Sequence, residues 1–269
     1  MLAPLDNEVV FKKAFTDKIV FTTFVHDIVG IDIEVDTIET EKKFTPKVGN
    51  IDFAYDIFAE SLDHRAIIEL QRVEYDYHFD RFLHYHHMAI AELQRHAKDY
   101  NIRQEVYTIV ILTAPYTIRT NDGIPVQDEV MVSDVDPRTL DGKVRKLYGH
   151  KMFFLNPHYK DKITPSAVRD WMKLLYVSIH DQDPSDLNLE NDGIKKAIEM
   201  IDTEKLNPVE IRKMKEAEGK RRAMKVMEEE VKETRAKLQR ADAALQRALE
   251  ALEKTGMTTE EARKILGLE

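Results

Sequence analysis

The chain has 269 residues, 43% hydrophobic and 33% charged, enough for one sizeable core with an appendage. It contains no cysteine, which excludes disulfides, thiolate zinc sites and cysteine nucleophiles and suits a reducing cytoplasm. Its net charge of −9 argues against a protein that coats nucleic acid, though not against a local basic groove on an acidic body.

The first residues lack a basic segment followed by an apolar run, so no signal peptide is expected. No stretch reaches about 20 continuous apolar residues, so no membrane span is expected and the location is read as cytoplasmic. A helix is predicted over residues 7–28. Val10, Phe11, Ala14, Phe15, Ile19, Phe21, Thr22 and Val25 form its stripe, with a break near Asp17 and a stop at Gly30. Ile31-Asp32-Ile33-Glu34-Val35 alternates strictly, which predicts a half-exposed strand. Residues 51–59 (IDFAYDIFA) and 66–73 are two further strands, joined through the polar turn at 60–65 into an antiparallel hairpin.

A long helix is predicted over residues 77–98, with Phe79, Phe82, Leu83, Met88, Ile90 and Leu93 on its apolar side. Residues 106–112 (VYTIVIL) are apolar on both faces, as in a covered central strand, and Pro115 ends the run. The order is α-β-β-β-α-β, an α/β fold. Residues 116–204 continue the same domain, with strands at 129–133 and 151–155 and helices at 166–177, around the only tryptophan (Trp171), and at 193–202. No run of Gly, Ser or Pro marks a linker there.

The tail, residues 205–269, is read as a separate helical segment after a domain of residues 1–204. Asn207-Pro208-Val209-Glu210 places a cap, a first-turn Pro and a third-position Glu at the start of a helix that runs to residue 254. Met224, Met227, Val231, Thr234, Leu238, Ala241, Leu245, Ala248 and Leu252 fall at alternating steps of three and four, a heptad seam. The seam predicts either a self-association coil or a helix folded back on the body, and a homo-oligomer joined through residues 205–255 is the expectation. Gly256 stops the helix, and Thr258 with Glu261 forms a capping box for a last short one.

Within the hairpin, Ile67-Ile68-Glu69-Leu70-Gln71 sets two polar side chains on one face of an otherwise apolar strand. Burying a charge is costly unless it is compensated, so this face is either wet or holds a cation. An aspartate on the preceding strand that points to the same face would bring two carboxylates and an amide together. Two close carboxylates repel unless they are protonated or bridged. A hard divalent ion such as Mg²⁺ suits them, with Mn²⁺ as a substitute. Such an ion stabilises charge on a phosphoryl oxygen and acidifies a bound water. Gln71 cannot act as a base but can orient that water. Asp52 and Asp56 compete for the aspartate role: they share a strand face, but four residues span about 13 Å, so one ion cannot take both. Periodicity does not choose between them.

Several stretches resemble the PD-(D/E)XK nucleases, and more narrowly the recombination-promoting nuclease family, also described as PD-(D/E)XK nuclease family transposases. Residues 8–15 (EVVFKKAF) resemble its acidic-x-x-Phe-Lys-x-x-Phe opening. Lys47-Val-Gly-Asn-Ile51-Asp52 resembles its Lys-x-x-x-hydrophobic-Asp, and Ile68-Glu69-Leu70-Gln71 its Ile-Glu-Met/Leu-Gln. Arg81-Phe-Leu-His-Tyr85 resembles the Arg-x-x-x-Tyr of the following helix, and Thr255-Gly-Met-Thr-Thr-Glu-Glu-Ala the short helical ending. The resemblance implies a restriction-endonuclease-like core, a mixed sheet flanked by helices, and metal-dependent cleavage of DNA linked to recombination, mobile elements or defence. It implies Asp52 and Glu69 as metal ligands, the carbonyl of Leu70 as a third and Glu8 as an outer one. Asp52, Glu69 and Gln71 would then be catalytic, with Arg81, Lys47 and Lys12 toward DNA. Two positions depart from the superfamily pattern. Ile51 replaces a Pro that is not a ligand, and Gln71 replaces a Lys that could stabilise the transition state.

Plainer readings stand beside these. Glu8 is also a favourable charge at a helix start, Arg81 a partner for a nearby carboxylate, and Tyr85 a packing residue. His78, His84, His86, His87 and His96 invite a zinc reading, but no cysteine or second cluster supports it, and a solvated or sheet-packed helix face is the better account. Lys220-Arg221-Arg222 and Lys42-Lys43 are diluted by acidic neighbours. The rival functions are a non-cutting DNA-binding protein that retains the fold, an assembly module centred on the coil, and cleavage of RNA in place of DNA.

Overall fold

The N-terminal stripe is cut in two in a computed structural model of the chain, which describes residues 1–44, 53–72, 79–93 and 102–253 together with 258, 261 and 264. Asn7 caps α1 (Glu8–Phe15) and Asp17 caps α2 (Lys18–Val29). The Asp17 carboxylate accepts the amides of Ile19 and Val20, which satisfies donors at a new helix start and so breaks the stripe where the sequence predicts. Gly30, at φ 82°, closes α2 in the left-handed region that glycine enters without strain.

The alternating residues 31–35 do not form a strand. Ile33 and Val35 are buried and Asp32 and Glu34 exposed, so the alternation marks burial against the core, with no ladder partner. The strand comes later, as β1 (Ile38–Phe44), which pairs antiparallel with β2 (Phe53–Glu60). β3 (His64–Gln71) completes the predicted hairpin, turned at Ser61, whose amide donates to the His64 carbonyl and whose Oγ accepts the His64 amide.

α3 (Phe79–Ala91) follows, then β4 (Glu105–Leu112), parallel to β3. Two short strands that the sequence reading missed, β5 (Thr117–Arg119) and β6 (Pro125–Gln127), form a separate hairpin. β7 (Met131–Asp134) then pairs antiparallel with β8 (Lys151–Leu155), and β8 lies parallel to β4. The result is a six-stranded mixed sheet in the order β1-β2-β3-β4-β8-β7.

Helices cover both faces. α1, α2, α4 (Ser166–Ile179) and α5 (Asp192–Ile201) bury one face through residues such as Ile68, Ile109 and Ile111, while α3 covers Ile67, Val106 and Val110 on the other. β4 is therefore covered on both sides, as its unbroken apolar run predicts. Trp171 is fully buried, with the Phe24 ring 5.0 Å away, and its indole N–H donates to Asp27 Oδ2 at 2.7 Å. Burial of a side chain this large contributes about 3 kcal/mol.

Contacts divide the chain into two units, Met1–Met214 and Lys215–Glu269. α6 (Pro208–Glu253) starts in the first and continues through the second. Its start is a reciprocal cap: Asn207 Oδ1 accepts the amides of Val209 and Glu210, and Glu210 Oε2 accepts the amide of Asn207. Thr258 and Glu261 bond in the same reciprocal way. No helix of the described residues is long and apolar enough to cross a membrane.

Candidate active site

β2 and β3 are laddered from Glu60–Arg65 to Ile57–Ile68 and stop there. Beyond that pair two carboxylates take over the bonding. The amide of Asp56 donates to Glu69 Oε1 at 3.2 Å, and the amide of Leu70 donates to Asp56 Oδ2 at 2.9 Å. Each acid thus holds a backbone amide on the other strand, and the two are drawn together where the strands part. The other oxygen of each carboxylate has no protein partner among the described residues.

Glu69 is only 3% exposed. Burial first, and then the charge of Asp56, push its carboxyl well above the ordinary glutamate range. The Asp56 carboxyl is also raised, again mainly by burial, with the Leu70 amide opposing the shift. A buried and a half-buried acid that both resist ionising are short of positive charge. The cations nearby supply part of it: Lys12 on α1 and Arg81 on α3 both favour the charged forms of Asp56 and Glu69.

Those cations are themselves held. Lys12 Nζ bonds Glu8 Oε1 and, at 2.7 Å, Glu41 Oε1. Glu41 sits inside β1 at φ 52°, between the pairs Thr40–Ile57 and Lys42–Tyr55, beside Asp56 on the next strand. Arg81 donates from Nη1 to Gln71 Oε1 at 3.4 Å and from Nε to the Tyr85 hydroxyl at 3.0 Å, with its guanidinium 5.1 Å over the Tyr85 ring. It pairs with no carboxylate among the described residues. Gln71 is fixed at the end of β3, where its carbonyl accepts the amide of Thr113.

Of the residues singled out from sequence, the structure gathers Glu69, Leu70, Gln71, Arg81, Lys12 and Glu8 around this point. Asp52 and Lys47 lie outside the described residues. Among the described residues the aspartate drawn to Glu69 is Asp56, the competitor that strand periodicity left open. Leu70 contributes its amide to Asp56, and Glu8 reaches the site through Lys12. The signal for Asp56 lies in the hairpin itself: Asp56 precedes the turn by as many residues as Glu69 follows it, so they arrive side by side. The link from Lys12 to Glu41 has no such signal, because it joins elements far apart in sequence.

The helix histidines separate by burial. His84 and His87 are exposed, while His86 is fully buried, bonds Thr108 Oγ1 through Nδ1 at 2.9 Å and is pushed down to about 4 by burial. It packs on the sheet. His78 and His96 lie outside the described residues, and among the described residues no group of three or more His, Asp or Glu side chains is arranged around a metal position. Asp56 and Glu69 are a two-carboxylate set. Such a set fits a hard, oxygen-binding ion that takes its remaining ligands from backbone carbonyls and water.

The family model for PD-(D/E)XK nuclease family transposases matches residues 5–223, most of the chain. Searches of curated proteins and of solved structures found no match.

Proposed function

The chain belongs to the PD-(D/E)XK nuclease family transposases, a nuclease-like, transposase-associated family, and on that premise we propose that it hydrolyses phosphodiester bonds of DNA with a divalent ion, Mg²⁺ or Mn²⁺, held by Asp56 and Glu69. The observation that carries this reading is the clasp at the end of the β2–β3 ladder, where the buried Glu69 and the half-buried Asp56 each accept an amide of the other strand, with raised titration ranges and one oxygen apiece unpartnered among the described residues. We assign the strand aspartate to Asp56 in place of Asp52, because Asp56 is bonded to Glu69 across the hairpin. The Leu70 carbonyl is the proposed third ligand and Glu8 an outer contact.

When bound, the ion supplies positive charge to the scissile phosphate and lowers the pKa of a water. The chain's own groups do the rest. Asp56 and Glu69 are fixed by backbone amides, so they present their oxygens without reorganising. Arg81 holds Gln71 by its Oε1, which leaves the Nε2 hydrogens as donors. From there Gln71 orients the attacking oxygen or steadies a phosphate oxygen, the neutral counterpart of the superfamily's lysine. Arg81, which pairs with no carboxylate among the described residues, is a cation for DNA phosphates, and Lys12 becomes one on release from Glu8 and Glu41. An oligomer joined through α6 would carry two such sites.

A plasmid-nicking assay with and without Mg²⁺ or Mn²⁺ tests the reading. Metal-dependent nicking that Asp56→Ala removes supports it. DNA binding with no nicking in any metal favours a non-cutting member of the family.

A further inference from the structure

The heptad seam on α6 is exposed from Met224 to Ala241. Met224 is 61% exposed, Met227 65%, Val231 50% and Leu238 61%. A helix of this length that is polar on most of its surface does not leave such a stripe in water without cost. The stripe alone does not say what covers it, but the charges beside it do.

With Met224, Val231, Leu238, Leu245 and Leu252 at the a positions, the d positions are Met227, Thr234, Ala241 and Ala248. Glu230 and Lys237 then occupy g positions, and Arg235 and Asp242 the e positions that follow them. All four are exposed. In a parallel, in-register pair of identical helices, each g residue meets the e residue five places later on the partner. Glu230 meets Arg235 of the second copy, and Lys237 meets its Asp242. Both contacts are attractive, and two-fold symmetry repeats each of them. The same alignment stacks all five a layers and all four d layers without overhang.

We propose that α6 pairs with α6 of a second copy of this chain as a parallel, in-register, two-stranded coiled coil, held by the Met224–Leu252 seam and selected by the Glu230–Arg235 and Lys237–Asp242 contacts. The pairing does not depend on the cleavage chemistry. A pair of chains joined in this way carries two copies of the Asp56–Glu69 site. Lys237 bonds Glu233 of its own helix at 2.8 Å, an i,i+4 contact that the contact with Asp242 of the second copy replaces on pairing.

The absence of cysteine makes the test direct, since any introduced thiol is unique. The full chain is made with Met224→Cys alone and with Leu245→Cys alone, and each is oxidised. In a parallel, in-register pair both residues face their own copies, so both variants form interchain disulfides. An antiparallel pair brings at most one position against itself, so crosslinking of only one variant overturns the proposal, as does a wild-type mass that stays at the 31.3 kDa of a single chain at micromolar concentration. A charge swap gives a second readout. Glu230→Arg sets like charges against Arg235 and weakens the dimer about tenfold. Adding Arg235→Glu restores it in the parallel pair, and failure of that rescue counts against the proposed register.

Discussion

Asp56 and Glu69 each hold a backbone amide on the opposite strand at the point where the β2–β3 ladder ends. Two ladder bonds are replaced by bonds to carboxylates, and the strands are locked open around a pair of acids. The arrangement costs the metal-free protein stability and supplies the oxygen donors that the proposed chemistry requires.

The first consequence is a pH dependence. Both carboxyls are raised above their ordinary values, so between the ordinary and the raised value the native state keeps a proton that the unfolded chain has lost. Stability then falls as pH rises through that window, which for Glu69 opens at 4.5 and extends upward. Glu69→Gln should flatten this part of the profile and raise Tm in EDTA at alkaline pH, with about 2–4 °C per kcal/mol expected for a unit of this size. Thermal melts across pH provide the check, and unchanged profiles would count against the raised acid pair.

A second expectation separates positioning from ligation. Arg81→Ala releases Gln71 and removes the stack on Tyr85. Cleavage should slow by about ten- to a hundredfold, less than the roughly hundred- to thousandfold of an oriented donor lost outright because Gln71 itself remains, while stabilisation by Mn²⁺ persists. Single-turnover nicking beside thermal shift measures both. Loss of the metal response together with activity would place Arg81 in the ion site.

A third concerns the far side of the sheet. Asp27 Oδ2 accepts both the Trp171 indole N–H and the Asn191 amide, each at 2.7 Å. Asp27→Ala leaves a buried indole donor without its acceptor, at a cost of about 1–3 kcal/mol. The single tryptophan reports the change directly, as a lower urea midpoint by fluorescence with an unaltered response to metal.

Much of this was legible in the sequence. Alternation and caps located β2, β3, β4 and β8, the break at Asp17 and the start of α6, because each rests on local chemistry. The stretch at 31–35 shows the limit of periodicity. Ile33 and Val35 are buried like strand residues, yet whether a ladder forms depends on a partner strand that no local pattern names. β5 and β6 are three residues each, too short to leave a period. The site was half legible: Glu69 and Gln71 stood out as polar residues on an apolar strand, while the choice of aspartate required the hairpin register. Counting outward from the turn reaches Asp56, whereas the motif resemblance points to Asp52. The Lys12–Glu41 contact joins α1 to β1 and is visible only in the fold.

The central claim is tested most directly by Mn²⁺ binding to the wild type, Asp56→Asn and Asp52→Asn, followed by calorimetric titration. The account predicts binding by the wild type and by Asp52→Asn and its loss in Asp56→Asn. Binding that survives Asp56→Asn and disappears in Asp52→Asn would contradict it.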